Sequence, residues 1–150
     1  MFQSTRHWCV ALAGSICVVA ANAAPMPSAP ARDQELVDEA VHAWAASWDR
    51  GDVPQYLSHY ADNFVPAGGL TRQQWEQQRR MRLKITAIRH VMLRDVQVDV
   101  SADTARARFT QHYLDLDQMS TARKRLTLVK QSGEWKIREE QVETERLVRR

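Results

Sequence analysis

Near residue 85 the spacing of apolar residues changes from three-and-four to two, and that change fixes the class of fold open to this chain. Before it, Val37, Val41, Trp44 and Trp48 recur at helical spacing, with Leu36 and Ala40 widening the stripe, so a helix from Asp33 onward buries one face. Asp49-Arg50-Gly51-Asp52 interrupts it. Asp52, followed by Pro54 and by Gln55 at the capping-box position, opens a second helix expected over 53–62, burying Leu57, Tyr60 and, just past its end, Phe64. A breaker cluster over 64–69 then yields to another capping box, Thr71 with Gln74. It heads a third helix, expected over 72–84 and anchored by Trp75, Met81 and Leu83. Arg79, Arg80 and Arg82 crowd its second half, where cations suit the helix dipole.

After Ile85, alternation predicts strands at about 87–100, 103–115, 119–130 and 134–143, joined by loops short enough for antiparallel neighbours. Helices first and a meander after them give an α+β domain: three N-terminal helices on a four-stranded antiparallel sheet, with room for one further short strand. The inward phase reads Val96, Val98 and Val100 in the first strand, with Met92 and Arg94 if no bulge intervenes. It continues as Ala105, Ala107, Phe109, Gln111 and Tyr113, then Ala122, Lys124, Leu126, Leu128 and Lys130, then Trp135, Ile137 and Glu139.

Closing the hairpins at their shortest loops pairs Phe109 with Leu126 and Leu128 with Trp135. That register sets Gln111 beside Lys124 and Lys124 beside Glu139, with Arg94 near the end of the row. Such a polar row across an apolar face is either the wetted rim of the sheet or the polar wall of a pocket, since small-ligand sites combine apolar walls with a few convergent polar groups. In the second case Lys124 and Glu139 compensate one another, and Gln111 and Tyr113 are freest to bond a guest. Tyr60 and Trp75 complete the expected pocket from the helical side.

The opposite face collects Arg106, Arg108, Arg123, Arg125, Lys136 and Arg138 against Asp95, Asp99 and Glu140. It reads either as a solvated surface laced with cross-strand ion pairs or as an anion-binding patch. Two copies meeting there would oppose like charges, so any homodimer is expected to form through helices or sheet edges.

The start of the chain carries Arg6 and no acid, then an apolar stretch over 8–21 broken only by Gly14 and Ser15, then Ala21-Asn22-Ala23. This is the pattern of a secretory signal peptide over 1–23, and its apolar stretch falls well short of the ~20 residues that span a bilayer. Cleavage near Ala23 implies a periplasmic or secreted bacterial protein. A flexible Pro-rich linker over 24–32, a domain over 33–145 and a disordered basic tail over 146–150 follow. Cys9 and Cys17 leave with the leader, which excludes disulfides, a thiol nucleophile and thiolate metal sites from the processed chain. Arg6 leaves too, lowering the net charge from +3 to +2; with export, that argues against nucleic acid as partner despite a pI of about 9.1. The histidines after the leader are dispersed and no phosphate loop or nucleophile motif is present, so neither a metal nor a cofactor is expected.

Three helices followed by an antiparallel sheet that closes on Gly133-Glu134-Trp135-Lys136-Ile137 resemble the nuclear transport factor 2-like superfamily over 33–143. Trp44, Trp48, Tyr56-Leu57, Tyr60, Phe64, Gly69, Arg72, Trp75, Arg79-Arg80, the run Phe109-Thr110-Gln111-His112-Tyr113 and Lys124 are similar, more narrowly, to the domain accompanying periplasmic L,D-transpeptidase-type cell-wall proteins. The resemblance implies a SnoaL-like, cone-shaped α+β roll with a cavity between the sheet and the helices. It does not carry transpeptidase activity, which resides in a separate cysteine-dependent domain.

Catalytic members of the superfamily, such as ketosteroid isomerase, polyketide cyclases and scytalone dehydratase, use an aspartate or histidine inside the cone. In this chain the strands place Asp95, Asp99 and His112 outward, and the inward Glu139 is expected beside Lys124, which lowers its basicity. His42 and His59 fall off the buried helical stripes. The expected role is therefore an exported small-ligand-binding or envelope-accessory domain; the alternative is a cofactor-free lyase or isomerase of the polyketide-cyclase type.

Overall fold

A computed structural model describes residues 28–85 and 89–149. The expected leader and residues 24–27 of the expected linker lie outside the described residues. Helix α1 spans Ala29–Arg50, α2 Val53–Ser58 and α3 Arg72–Ile85. Strands β1 (Tyr60–Val65), β2 (Arg89–Ser101), β3 (Thr104–Asp115), β4 (Gln118–Gln131) and β5 (Glu134–Arg149) form one curved sheet in the order β1-β5-β4-β3-β2. β1 runs parallel to β5 and every other pair is antiparallel. The described helices include none long and apolar enough to cross a membrane.

Both predicted caps form. Asp52 accepts a bond from the Gln55 amide at 3.1 Å, and Thr71 and Gln74 exchange bonds at 2.9 and 3.2 Å. They satisfy helix-end donors that would otherwise be orphaned. α1 begins at Ala29, inside the expected linker, and ends at Gly51, whose left-handed φ of 68° brings its amide back onto the Trp48 carbonyl. The buried Arg89 side chain closes the same corner, donating to the carbonyls of Leu83 and Trp48. A Cβ at position 51 would collide with that guanidinium.

The second helix stops at Ser58, and Tyr60–Val65 is a strand where a helix was expected. The spacing of four between Tyr60 and Phe64 serves either structure, because four is close to one helical turn and is also an even number of strand residues. Pairing with β5 decides it, anchored by the Ile137 amide donating to the His59 carbonyl at 2.8 Å. Leu36 and Met81, expected as anchors, are exposed; Val37, Val41, Trp44, Trp48, Trp75 and Leu83 are buried.

The inward phases of β3 and β4 are as expected, with Ala105, Ala107, Phe109, Gln111 and Tyr113 facing Ala122, Lys124, Leu126 and Leu128. Register differs by two: Phe109 opposes Lys124, and Leu128 opposes Ile137. An even slip keeps every side chain on its face. β2 and β5 do change phase. β2 bulges between Arg94 and Gln97, with Asp95 at φ 54°, so Val91 and Leu93 turn inward while Met92 and Arg94 turn out. β5 shifts register between the partners of Leu128 and Thr127 and again between those of Lys124 and Arg123, leaving Arg138 and Glu143 as the extra residues. It then continues through Arg149, paired with Gln118 of β4, where a disordered tail was expected.

Candidate functional site

The inner face of β3–β5, Trp48 of α1 and the second half of α3 enclose a cavity of about 250 Å³. Its walls combine Trp48, Ala122, Val142 and Leu147 with Arg79, Arg82, Gln111, Ser120, Lys124, Glu140 and Glu145. The first bulge in β5 sets its chemistry. By uninterrupted alternation Glu139 faces inward; with Arg138 as the extra residue, Glu139 lies on the outer face 3.7 Å from Arg138, and Glu140 takes the inward place.

Glu140 is held from two sides. Lys124 Nζ lies 2.7 Å from its Oε1, and the Tyr60 hydroxyl donates to Oε2 at 3.1 Å. A tyrosine hydroxyl has a single proton, so Tyr60, having given its own to Glu140, accepts from Tyr56 at 2.7 Å and from the Trp44 indole at 2.9 Å. The Lys124 ammonium also lies 5.0 Å from the Trp48 ring and 5.7 Å from that of Trp44, within reach of cation–π attraction. Burial alone would raise the Glu140 pKa, but Lys124 and Arg79 outweigh it and hold the carboxyl below its ordinary value. Burial, reinforced by the charge of Glu140, pushes the Tyr60 hydroxyl well above its usual range.

Gln111 stands at the head of this row, 3% exposed, and its Oε1 is buried with no hydrogen-bond partner among the described residues. Buried polar atoms are ordinarily satisfied, so an orphan on a side chain that lines a cavity singles that side chain out for a ligand. Tyr113, expected to be free for a guest, donates to Asp115 at 2.9 Å instead. Trp75 does not line the cavity; it packs against Tyr60 and Phe64 at centroid distances of 4.5 and 4.6 Å. Tyr60 reaches the cavity only through Glu140. Of the expected pocket, Gln111, Tyr113 and Lys124 are brought together, while Arg94 is exposed and turned away with Glu139.

Sequence reasoning missed Glu140, hidden by the bulge, and also Arg79 and Arg82. For the arginines a signal existed, since Trp75, Arg79 and Arg82 follow one another at four and three and so share a helix face.

On the outer face Arg106 opposes Asp99, but Arg108 directly opposes Arg125. Arg125 bonds Gln141 and lies 3.8 Å from Glu143; Lys136 pairs with Glu134 at 2.6 Å and donates to the Ser58 carbonyl. Arg123, opposite Thr110 and Thr144, is exposed. Of the two adjacent glutamates of β5, Glu139 rather than Glu140 lies on this face, and the patch is partly neutralised from within. A larger, more open groove of about 780 Å³ between α1 and β2–β3 has mostly apolar walls, including Ala45, Val91, Leu93 and Met119.

Helices laid on a curved five-stranded sheet, with a small polar-floored cavity between them, define an NTF2-like domain. The chain belongs to the Cds6 C-terminal NTF2-like domain family, whose model matches residues 36–141. Bd1075 of Bdellovibrio bacteriovorus superimposes with a TM-score of 0.66 at 19% identity, over 71% of this chain and 38% of that one. The helical cell shape determining protein Pgp2 of Campylobacter jejuni, as its K307A mutant, gives 0.62 at 18% identity, over 68% and 38%. The present chain thus spans little more than a third of either protein. A Streptomyces avermitilis protein assigned as a dehydratase of the NTF2-like family gives 0.60 at 24% identity, over 75% and 95%. No curated protein matches the chain.

Proposed function

We propose that this chain is an exported small-ligand-binding or accessory domain of the cell envelope, with no transpeptidase activity of its own. The observation that carries the binding reading is a cavity lined by Gln111, whose buried Oε1 has no hydrogen-bond partner among the described residues, and by the Lys124–Glu140 pair. At about 250 Å³ the cavity falls below the roughly 300–1,000 Å³ of drug-sized sites, so its ligand is small. Export rests on the leader pattern over 1–23, and the envelope setting on the likeness to part of a helical cell shape determining protein.

A second reading, a cofactor-free lyase or isomerase, draws on Glu140 and Tyr60 inside the cone and on the likeness to the protein assigned as a dehydratase. A general base works best with a pKa near the operating pH, whereas Glu140 is held below even its ordinary value. Its lone pairs are also committed to Lys124 and Tyr60. Binding is the function this geometry serves.

The test is a screen of small polar organic molecules by NMR. We expect at least one to shift the Gln111 side-chain amide and the Trp48 indole together, saturably. A screen in which no molecule moves those resonances would overturn the binding reading.

A further inference from the structure

Building on that reading of the cavity, we infer that its ligand carries a single carboxylate, received by the Arg79 guanidinium, with a short apolar body lying against Trp48, Ala122 and Val142. Arg79, Arg82 and Lys124 share the cavity walls with Glu140 and Glu145. Lys124 is spent on Glu140 at 2.7 Å. Glu145 lies on the exposed end of β5, opposite Ala122.

Arg79 is different. Its Nε is buried and unpartnered, and among the described residues no carboxylate lies within ion-pair distance of it. The guanidinium is 5.5 Å from the centroid of the Trp75 ring, which fixes its plane and leaves its edge for other partners. Glu140 feels this cation through space without bonding it. A half-buried arginine on a cavity wall with no bonded acid is a fork-shaped receptor for a planar anion.

Two observations select a monocarboxylate over a phosphate. The cavity is small, and the three cations on its walls exceed the two carboxylates by one, so a single guest charge balances them and a second is in excess. Gln111, on the sheet side of the cavity, offers the unpartnered acceptor Oε1, which calls for a hydrogen-bond donor on the guest and not for a further anionic oxygen. Arg82, one turn beyond Arg79, reinforces the positive mouth without being buried.

An isosteric series of probes tests this: butyrate, butyramide and butylammonium, titrated against the purified chain with the Gln111 side-chain amide and the Arg79 Nε–H followed by NMR. Butyrate is expected to bind at least tenfold more tightly than butyramide, and butylammonium not to bind. Arg79→Gln should bring butyrate down to the affinity of butyramide, with the dispersed amide spectrum of the parent chain retained to show that the variant is folded; Arg79→Lys should keep part of the preference. Equal binding of butyrate and butyramide would overturn the carboxylate inference and leave the ligand cavity standing. Failure of all three probes to move Gln111 would bring down the cavity reading itself. Displacement of butyrate by an equal concentration of inorganic phosphate would reassign the site to phosphate and overturn the inference.

Discussion

Lys124 and Glu140 meet at 2.7 Å with each side chain only 7% exposed, sixteen residues apart in sequence and brought together by one extra residue in β5. An ion pair this deep stands on its partners, since either charge alone would face the cost of burial without compensation. Lys124→Ala is expected to cost about 3–5 kcal/mol, and the double variant Lys124→Ala, Glu140→Ala distinctly less than the sum of the two single changes. Melting curves of the four proteins measure the coupling. Simple additivity would show that the pair is not coupled, and the same cycle built on Glu139 should be additive.

Acid should weaken the fold in two windows. Burial, together with Lys136 and Arg50, lowers the His59 pKa below its ordinary 6.5, so the unfolded chain takes up a proton that the folded chain refuses. Stability therefore falls as pH drops from about 6.5 toward the folded value. Glu140 repeats the pattern from its ordinary 4.5 downward, because protonation removes the charge that holds Lys124. Urea unfolding from pH 8 to 3 should show both losses. His59→Gln should remove the upper one, and Glu140→Gln should shrink the lower, to which Asp33, Asp115 and Glu134, also held below their ordinary values, contribute.

The outer face of the sheet is not expected to carry self-association. Arg108 and Arg125 already oppose one another within one copy, and a second copy would bring the same charges against them. With cysteine placed at position 108 or 125 and the leader cysteines absent, oxidation should yield no covalent dimer at low salt. Efficient crosslinking there would contradict this. A dimer formed through helices or sheet edges would not.

The proposed export predicts a definite product. Intact-mass measurement of the protein recovered from outside the cytoplasm should give a chain beginning at Ala24, without Cys9 and Cys17. A mass that retains residues 1–23 would reject processing.

How far the residues foretell this molecule depends on where the chain is regular. Helix caps are local chemistry, so Asp52–Gln55 and Thr71–Gln74 were legible, as was the apolar stripe from Val37 to Trp48. Alternation carried β3 and β4 on the right face even though their register was two residues out. A bulge leaves no mark in a hydropathy pattern when both Glu139 and Glu140 are glutamates, and this pair decides which carboxylate enters the site. β1 was illegible for a related reason: Tyr60 and Phe64 suit a helix locally, and only pairing with β5, a partner more than seventy residues away, overrides it.

The central claim is that the cavity beneath Trp48 receives a small molecule, and a crystal structure of the purified chain grown with butyrate tests it most directly. The account predicts density for the organic molecule against Trp48 and Ala122, its carboxylate reaching Arg79 and its propyl chain pointing toward Gln111, whose Oε1 accepts only from a guest that carries a donor. It also predicts that the Lys124–Glu140 pair stays closed beside it. A cavity filled instead by the chain's own Arg79 or Leu147 side chain, with Gln111 satisfied internally, would contradict it.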